Sequence, residues 1–241
     1  MVELERIAPD WTGEPCIVAA PGPSLTDEVV HNCRMARLYG WRVVAVQDSY
    51  KVMPWADAMY ACDEKWWNIH QTCNDFKGER WSTHEPLGND KMAVADKFAV
   101  RLVEGVHGSE FSFDAGKIAY GSNSGFQAVN LALLKGSRRV VLVGFDMRAV
   151  QGKMHFFGDH PKGLHNPCSF DDFARRFAVA AKALPKDVRI VNSTPDSALL
   201  CFKMLPLETA LADDSVHRDR PEPEARADPI CAGQGLQAVR V

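Results

Sequence analysis

Short apolar runs alternate with helix-patterned segments along most of this chain, and that alternation limits the folds open to it. "PCIVAA", "WRVVAV", "ADAMYACD", "RRVVLVGFD" and "VRIVNS" read as strands. Between them, "LTDEVVHNCRMARLYG", "SNSGFQAVNLALLKG" and "SFDDFARRFAVAAKAL" carry apolar residues at helical spacing, with Gly40 and Gly136 as stops and Ser122 or Asn123 and Ser169 as caps. "RRVVLVGFD" is apolar on both faces, as strands buried from two sides are. "EKWWNIHQTC" reads as a short helix, and in the middle of the chain "ERWSTH" and "KFAVRLVEGV" read as strands. Strand and helix in this order predict an α/β fold: a Rossmann-like, mostly parallel sheet with helices on both faces. Residues 1–212 are expected to form one nucleotide-binding domain. From Asp213 onward the sequence is polar, Pro-rich and without periodicity, the pattern of a flexible tail.

Composition removes several function classes. The net charge of −3 comes from 28 basic and 31 acidic residues, not the basic balance of a dedicated nucleic-acid binder. No apolar run approaches the ~20 residues of a membrane span. The start, "MVELERIAPDW", lacks the apolar core of a signal peptide, and the seven cysteines are scattered without a C-x-x-C. Together these predict a cytoplasmic protein with no membrane partner.

Open parallel sheets bind ligands beyond the carboxyl ends of their strands, and polar clusters collect at those points here. After the first strand comes Pro21-Gly22-Pro23-Ser24-Leu25. Its prolines fix φ, Gly22 admits close backbone approach, and Ser24 is placed to cap the helix whose positive end favours an anion. Gln47 and Asp48 follow the second strand, Asp63 the third, and Gly144-Phe145-Asp146 the most apolar one. Ser122, Asn123, Ser124 and Gly125 open a helix and present amides to an anion. Asp146 can pair with a ribose hydroxyl or with a neighbouring N–H. No G-x-x-x-x-G-K-[ST] and no G-x-G-x-x-G occurs, so the usual kinase and dehydrogenase signatures are missing.

The densest chemistry is "KMHFFGDHPKGLHNPCSF", where Lys153, His155, Asp159, His160, Lys162, His165 and Asn166 share one irregular stretch. An imidazole titrating near 6.5 suits removal of a proton from a hydroxyl. Two of these histidines with Asp159 could instead hold a metal, although the spacing matches no standard zinc pattern.

The order "GPSL", Gln-Asp, "SNSGFQAVNLALLKGSRRVVLVGFDM" and "HFFGDH" resembles the bacterial sialyltransferase and motility-accessory-factor group over roughly Cys16 to Leu184, with a wider similarity to 6-hydroxymethylpterin pyrophosphokinases. The fuller pattern also looks like phage-encoded proteins. The resemblance implies a metal-independent glycosyltransferase using a nucleotide-sugar donor. Gly22, Pro23 and Ser24 would line the donor phosphate, Gln47 or Asp48 would touch the donor, and Ser124 and Gly125 would sit by the nucleotide. His155 would be the general base, with Asp159 and His160 beside it, and Lys153, Lys162, His165 and Asn166 would meet phosphate or acceptor. The acceptor could be a glycan, a protein or a hydroxymethylated DNA base. For a nucleic-acid acceptor, Arg138, Arg139, Arg148, Arg175 and Arg176 are the candidates for phosphate contacts. The alternatives are a Mg²⁺- and ATP-dependent pyrophosphokinase and a non-catalytic nucleotide-binding or phage-assembly protein. Here Ala20 and Pro21 stand where the family loop has Gly-Asn.

Overall fold

The structure is a computed structural model. It describes residues 3–70, 73, 75–84, 91–161, 164 and 169–212, with backbone only for 91–94. The expected tail, and Lys162, His165 and Asn166, lie outside the described residues.

Nine strands form a single sheet in the order β6-β5-β4-β3-β2-β1-β7-β8-β9. They are β1 Cys16–Ala19, β2 Arg42–Val46, β3 Ala58–Tyr60, β4 Glu79–His84, β5 Arg101–Val106, β6 Lys117–Ala119, β7 Arg139–Val143, β8 Arg189–Asn192 and β9 Lys203–Met204. Every neighbouring pair is parallel, as for Ile17 opposite Val43 on one side and Val141 on the other. Among the described residues six helices pack on it: α1 Asp27–Leu38, α2 Glu64–Ile69, α3 Lys91–Phe98, α4 Ser124–Leu134, α5 Phe170–Lys182 and α6 Leu207–Ala212. None of the described helices is long and apolar enough to cross a membrane.

The period of two in the central strands divides the core into two layers. Cys16, Val18, Val44, Val46, Val140 and Leu142 face one side, where Phe126 of α4 and Phe177 of α5 cover them. Ile17, Ala19, Val43, Ala45, Val141 and Val143 face the other, against Cys33 of α1, Trp66 and Trp67 of α2, Phe98 of α3 and Leu207 of α6. Helices on both faces follow from strands apolar on both faces. This is the Rossmann-like α/β arrangement expected from the alternation.

Three local expectations are corrected. "KFAVRLVEGV" is not one strand: α3 ends at Phe98, the backbone turns at Ala99 (φ 51°), and β5 begins at Arg101. The sheet gains β6 and β9, which are too short to show periodicity. α1 is capped by Thr26, whose hydroxyl accepts from the Val29 amide at 3.3 Å, and not by Ser24. Asn123 caps α4, accepting from the Phe126 amide at 2.8 Å.

Strand order reverses between β1 and β7, which places the topological switch point there. The loops leaving those two strands are the Pro21–Gly22 elbow and Gly144–Asp146.

Candidate functional site

A cavity of about 200 Å³ opens at the carboxyl ends of β3, β2, β1 and β7. Three inter-strand spacings separate the outer two of these strands, roughly 14 Å, enough for a nucleoside carrying a further group. Pro21 and Gly22, Gln47, Asp63, Ser122 to Gly125 and Asp146 line it, and so do His155 and His160. Five polar clusters of the sequence and the histidine stretch therefore meet in one place. Three of the six described non-glycine residues with positive φ also line it: Gln47 (46°), Ser122 (63°) and Met147 (49°). Such strain persists only where surrounding packing enforces it, and it gathers at binding sites.

The two elbows are built by close approach. The Gly22 amide donates to the Gly144 carbonyl at 3.1 Å, and a Cβ on Gly22 would overlap both that carbonyl oxygen and the Asp146 carboxylate. Asp146 Oδ2 accepts from the Ser24 hydroxyl at 2.8 Å and from the Ser24 amide at 3.3 Å. Of the two partners the sequence allowed for Asp146, the structure shows the backbone amide. Burial pushes the Asp146 carboxyl up from its ordinary range, against the pull of the Ser24 groups and Arg148, and its Oδ1 has no hydrogen-bond partner among the described residues. On the α4 side, the Ser124 hydroxyl accepts from the Cys62 amide at 3.2 Å and lies 3.0 Å from the Cys62 sulfur, tying the helix start to the end of β3. The first-turn amides of α4 have no intrahelical partners, so this end carries the helix's positive pole toward the cavity.

The histidine loop closes onto the first elbow through the Phe156 amide, which donates to the Pro21 carbonyl at 3.0 Å. His155 stacks on Phe157 (5.0 Å between centroids, 7° between planes), and His160 sits 4.4 Å from the His155 ring. Burial drives the His155 imidazole down to about 4, His160 pushes the same way, and Asp48, the Pro21 carbonyl and Asp159 only partly oppose them. His155 is therefore a neutral imidazole at neutral pH, and the same burial makes it a weaker base than a solvated one.

Its sign fixes an acid response. An imidazole held below its ordinary 6.5 favours the seated loop fully above that pH, and the contribution is lost as pH falls from there through about 4. Trp66 lines the same cavity, so its fluorescence should report loosening over that interval. A His155→Phe variant, which keeps the stacking, should shift the transition to lower pH.

Not every candidate reaches the cavity. Ser24 is turned away by its bonds to Asp146 and lines a neighbouring cavity beside Thr26 and Thr194. Pro23, Lys153 and Asp159 are not among the lining residues. Asp48 is fully buried, bonded to Lys51 and Trp66 and 3.5 Å from His70 Nε2. Among the arginines, Arg138 pairs with Asp187, Arg175 and Arg176 with Asp172, and Arg139 is buried over Trp41. Arg148 lines the cavity and stands 3.9 Å from the Asp196 carboxylate. Sequence reasoning also missed Cys62, Trp66, Met154, Phe170 and Phe173 as cavity walls. Only the position of Cys62 and Trp66 around the end of β3 could have flagged two of them. Among the described residues, no three His, Cys, Asp or Glu side chains gather as a metal-holding group.

Comparison with known proteins places the fold. A solved structure of the MAf glycosyltransferase from Magnetospirillum magneticum AMB-1 superposes on 91% of this chain with a TM-score of 0.58 and 13% identity. The chain spans 36% of that protein's length. No protein-family model matches the sequence. No curated protein matches it either.

Proposed function

We propose that this protein is a glycosyltransferase that takes a sugar from a nucleotide donor to an acceptor hydroxyl, with His155 as general base. The observation that carries the reading is one cavity at the switch point shared by the Gly22 elbow, the amino end of α4 and a neutral, half-buried imidazole. A glycosyltransferase as structural neighbour supports the same direction. The donor's phosphate meets the Ser124 and Gly125 amides and Arg148, the one cation among the described lining residues. Trp66, Phe170 and Phe173 supply apolar wall for the base or sugar ring. In the transfer, the acceptor oxygen bonds to the anomeric carbon as the bond from that carbon to the phosphate oxygen breaks. The nucleotide leaves with the electron pair, and the acceptor proton passes to His155. Fixed amides and Arg148 stabilise the charge growing on the leaving phosphate. On this reading the reaction needs no metal, and the acceptor is a glycan, a protein or a modified nucleic-acid base.

The test is a thermal-shift series with nucleotides and nucleotide sugars, followed by donor turnover with and without EDTA. A ligand at 100 times its dissociation constant should stabilise the fold by about 2.7 kcal/mol. EDTA-resistant donor cleavage supports the reading. Stabilisation by ATP with EDTA-sensitive turnover transfers it to the pyrophosphokinase class, and binding without turnover to the non-catalytic class.

A further inference from the structure

Beside the cavity lies a buried carboxylate that the proposed chemistry does not use. Asp48 has no solvent exposure. Its Oδ1 accepts from Lys51 Nζ at 2.6 Å and stands 3.5 Å from His70 Nε2, while its Oδ2 accepts from the Trp66 indole at 2.8 Å. Each partner then reaches the histidine loop or the cavity. Lys51 Nζ lies 5.7 Å from the centre of the Phe157 ring, the ring on which His155 stacks. Trp66 packs 4.6 Å from the His70 ring and lines the cavity beside His155 and His160. A buried carboxylate is costly unless it is paired and hydrogen-bonded, so a charge this well partnered organises what surrounds it.

We infer that Asp48 is a positioning residue, a buried counter-charge that holds Lys51 and Trp66 in place as the seat of the His155–Phe157–His160 stack. The 3-10 turn Gln47–Lys51 and α2 form the seat, and the loop is the part that docks on it. Lys51 and Asp48 together bring almost no net charge beside the stack. Removing either one leaves a single charge of known sign facing the imidazoles. The groups that feel it are His70 just after α2 and His155, Asp159 and His160 from the loop, with the Pro21 carbonyl on the remaining side. Burial lowers His70, Lys51 and His160 push it the same way, and Asp48 opposes them. The inference concerns the same cavity but not the transfer reaction, and its readouts involve no turnover, so it can fail or hold independently of the glycosyltransferase reading.

The experiment is an NMR titration of the histidine side chains, assigned by single His→Gln replacements, in wild type, Asp48→Asn and Lys51→Met. Asparagine keeps an acceptor for the Trp66 indole and deletes only the charge. The His70 and His155 midpoints should fall in Asp48→Asn, whereas the His70 midpoint should rise in Lys51→Met. Misfolding cannot produce opposite shifts from neighbouring substitutions. In parallel, exchange of the Phe156 amide should quicken at least about tenfold in Asp48→Asn, because its bond to Pro21 depends on the seat. Midpoints that stay put, or that move together, overturn the electrostatic role, and unchanged Phe156 exchange overturns the seating role. If Asp48→Asn does not fold, Lys51→Met decides alone: its side chain is 41% exposed, and an unmoved His70 midpoint rejects the inference.

Discussion

Gly22→Ala should cost roughly 3 kcal/mol of stability and weaken nucleotide binding by about 100-fold. The added methyl has nowhere to go. Its position is already occupied by the Asp146 carboxylate and the Gly144 carbonyl, in a segment whose backbone is tied down just beyond them. The Ala198 amide donates to the Asp146 carbonyl at 2.9 Å, and Ser197 Oγ donates to the Phe145 carbonyl at 2.5 Å. The elbow must therefore move away from β7, and its displacement breaks the Ser24–Asp146 bonds and the Pro21 seat of the histidine loop in one step. Denaturant unfolding measures the first effect, and ligand titration the second. Gly108→Ala is the control, because nothing lies within 4 Å of a Cβ there; it should stay within about 0.5 kcal/mol of wild type. If Gly22→Ala behaves like that control, the elbow is not the rigid element assumed here.

His155→Gln should lower donor turnover by about 10² to 10⁴ while leaving donor affinity within a few fold. Glutamine retains polar contact with the Pro21 side but cannot accept and return a proton at neutral pH. The pH profile separates this role from a merely structural one. A base works in its neutral form, so kcat/KM in the wild type should rise through an acidic limb near pH 4 and be flat above it. A limb near the ordinary 6.5 would mean that the imidazole works unseated and solvated. Equal turnover in His155→Gln and wild type would remove it from the chemistry altogether.

The fold was legible because its cause is local. "VVLV" within "RRVVLVGFD" and the whole of "CIVAA" are continuous apolar runs, and a strand that is apolar on both sides must be covered on both sides. The polar clusters at the strand ends were legible too, but the strand order, and with it the switch point between β1 and β7, came only from the folded sheet. Secondary structure failed where length failed. β6 and β9 hold too few residues for a period of two to appear, and the break at Ala99 depends on a backbone reversal that alanine does not announce. Within the cavity, glycines and small polar residues could be picked out because their types answer to backbone geometry. Its apolar walls could not. Phe170 and Phe173 follow the pattern of any amphipathic helix, and only the placement of α5 shows that its first turn faces the cavity.

Which way a side chain points was decided by tertiary structure alone. Ser24 and Asp48 stand at strand ends like their neighbours Gly22 and Gln47, yet both are turned from the cavity. One answers a carboxylate from a strand far along the chain; the other answers an indole and an ammonium beside the cavity. The amino-acid sequence determined that this chain builds a doubly covered parallel sheet with anion-friendly elbows at its carboxyl edge, since periodicity and glycine placement act over a few residues. Folding decided which histidine is neutral, which arginine serves the cavity and which carboxylate lies beside it. Those properties depend on burial and on partners remote in sequence, and neither is encoded in any single stretch.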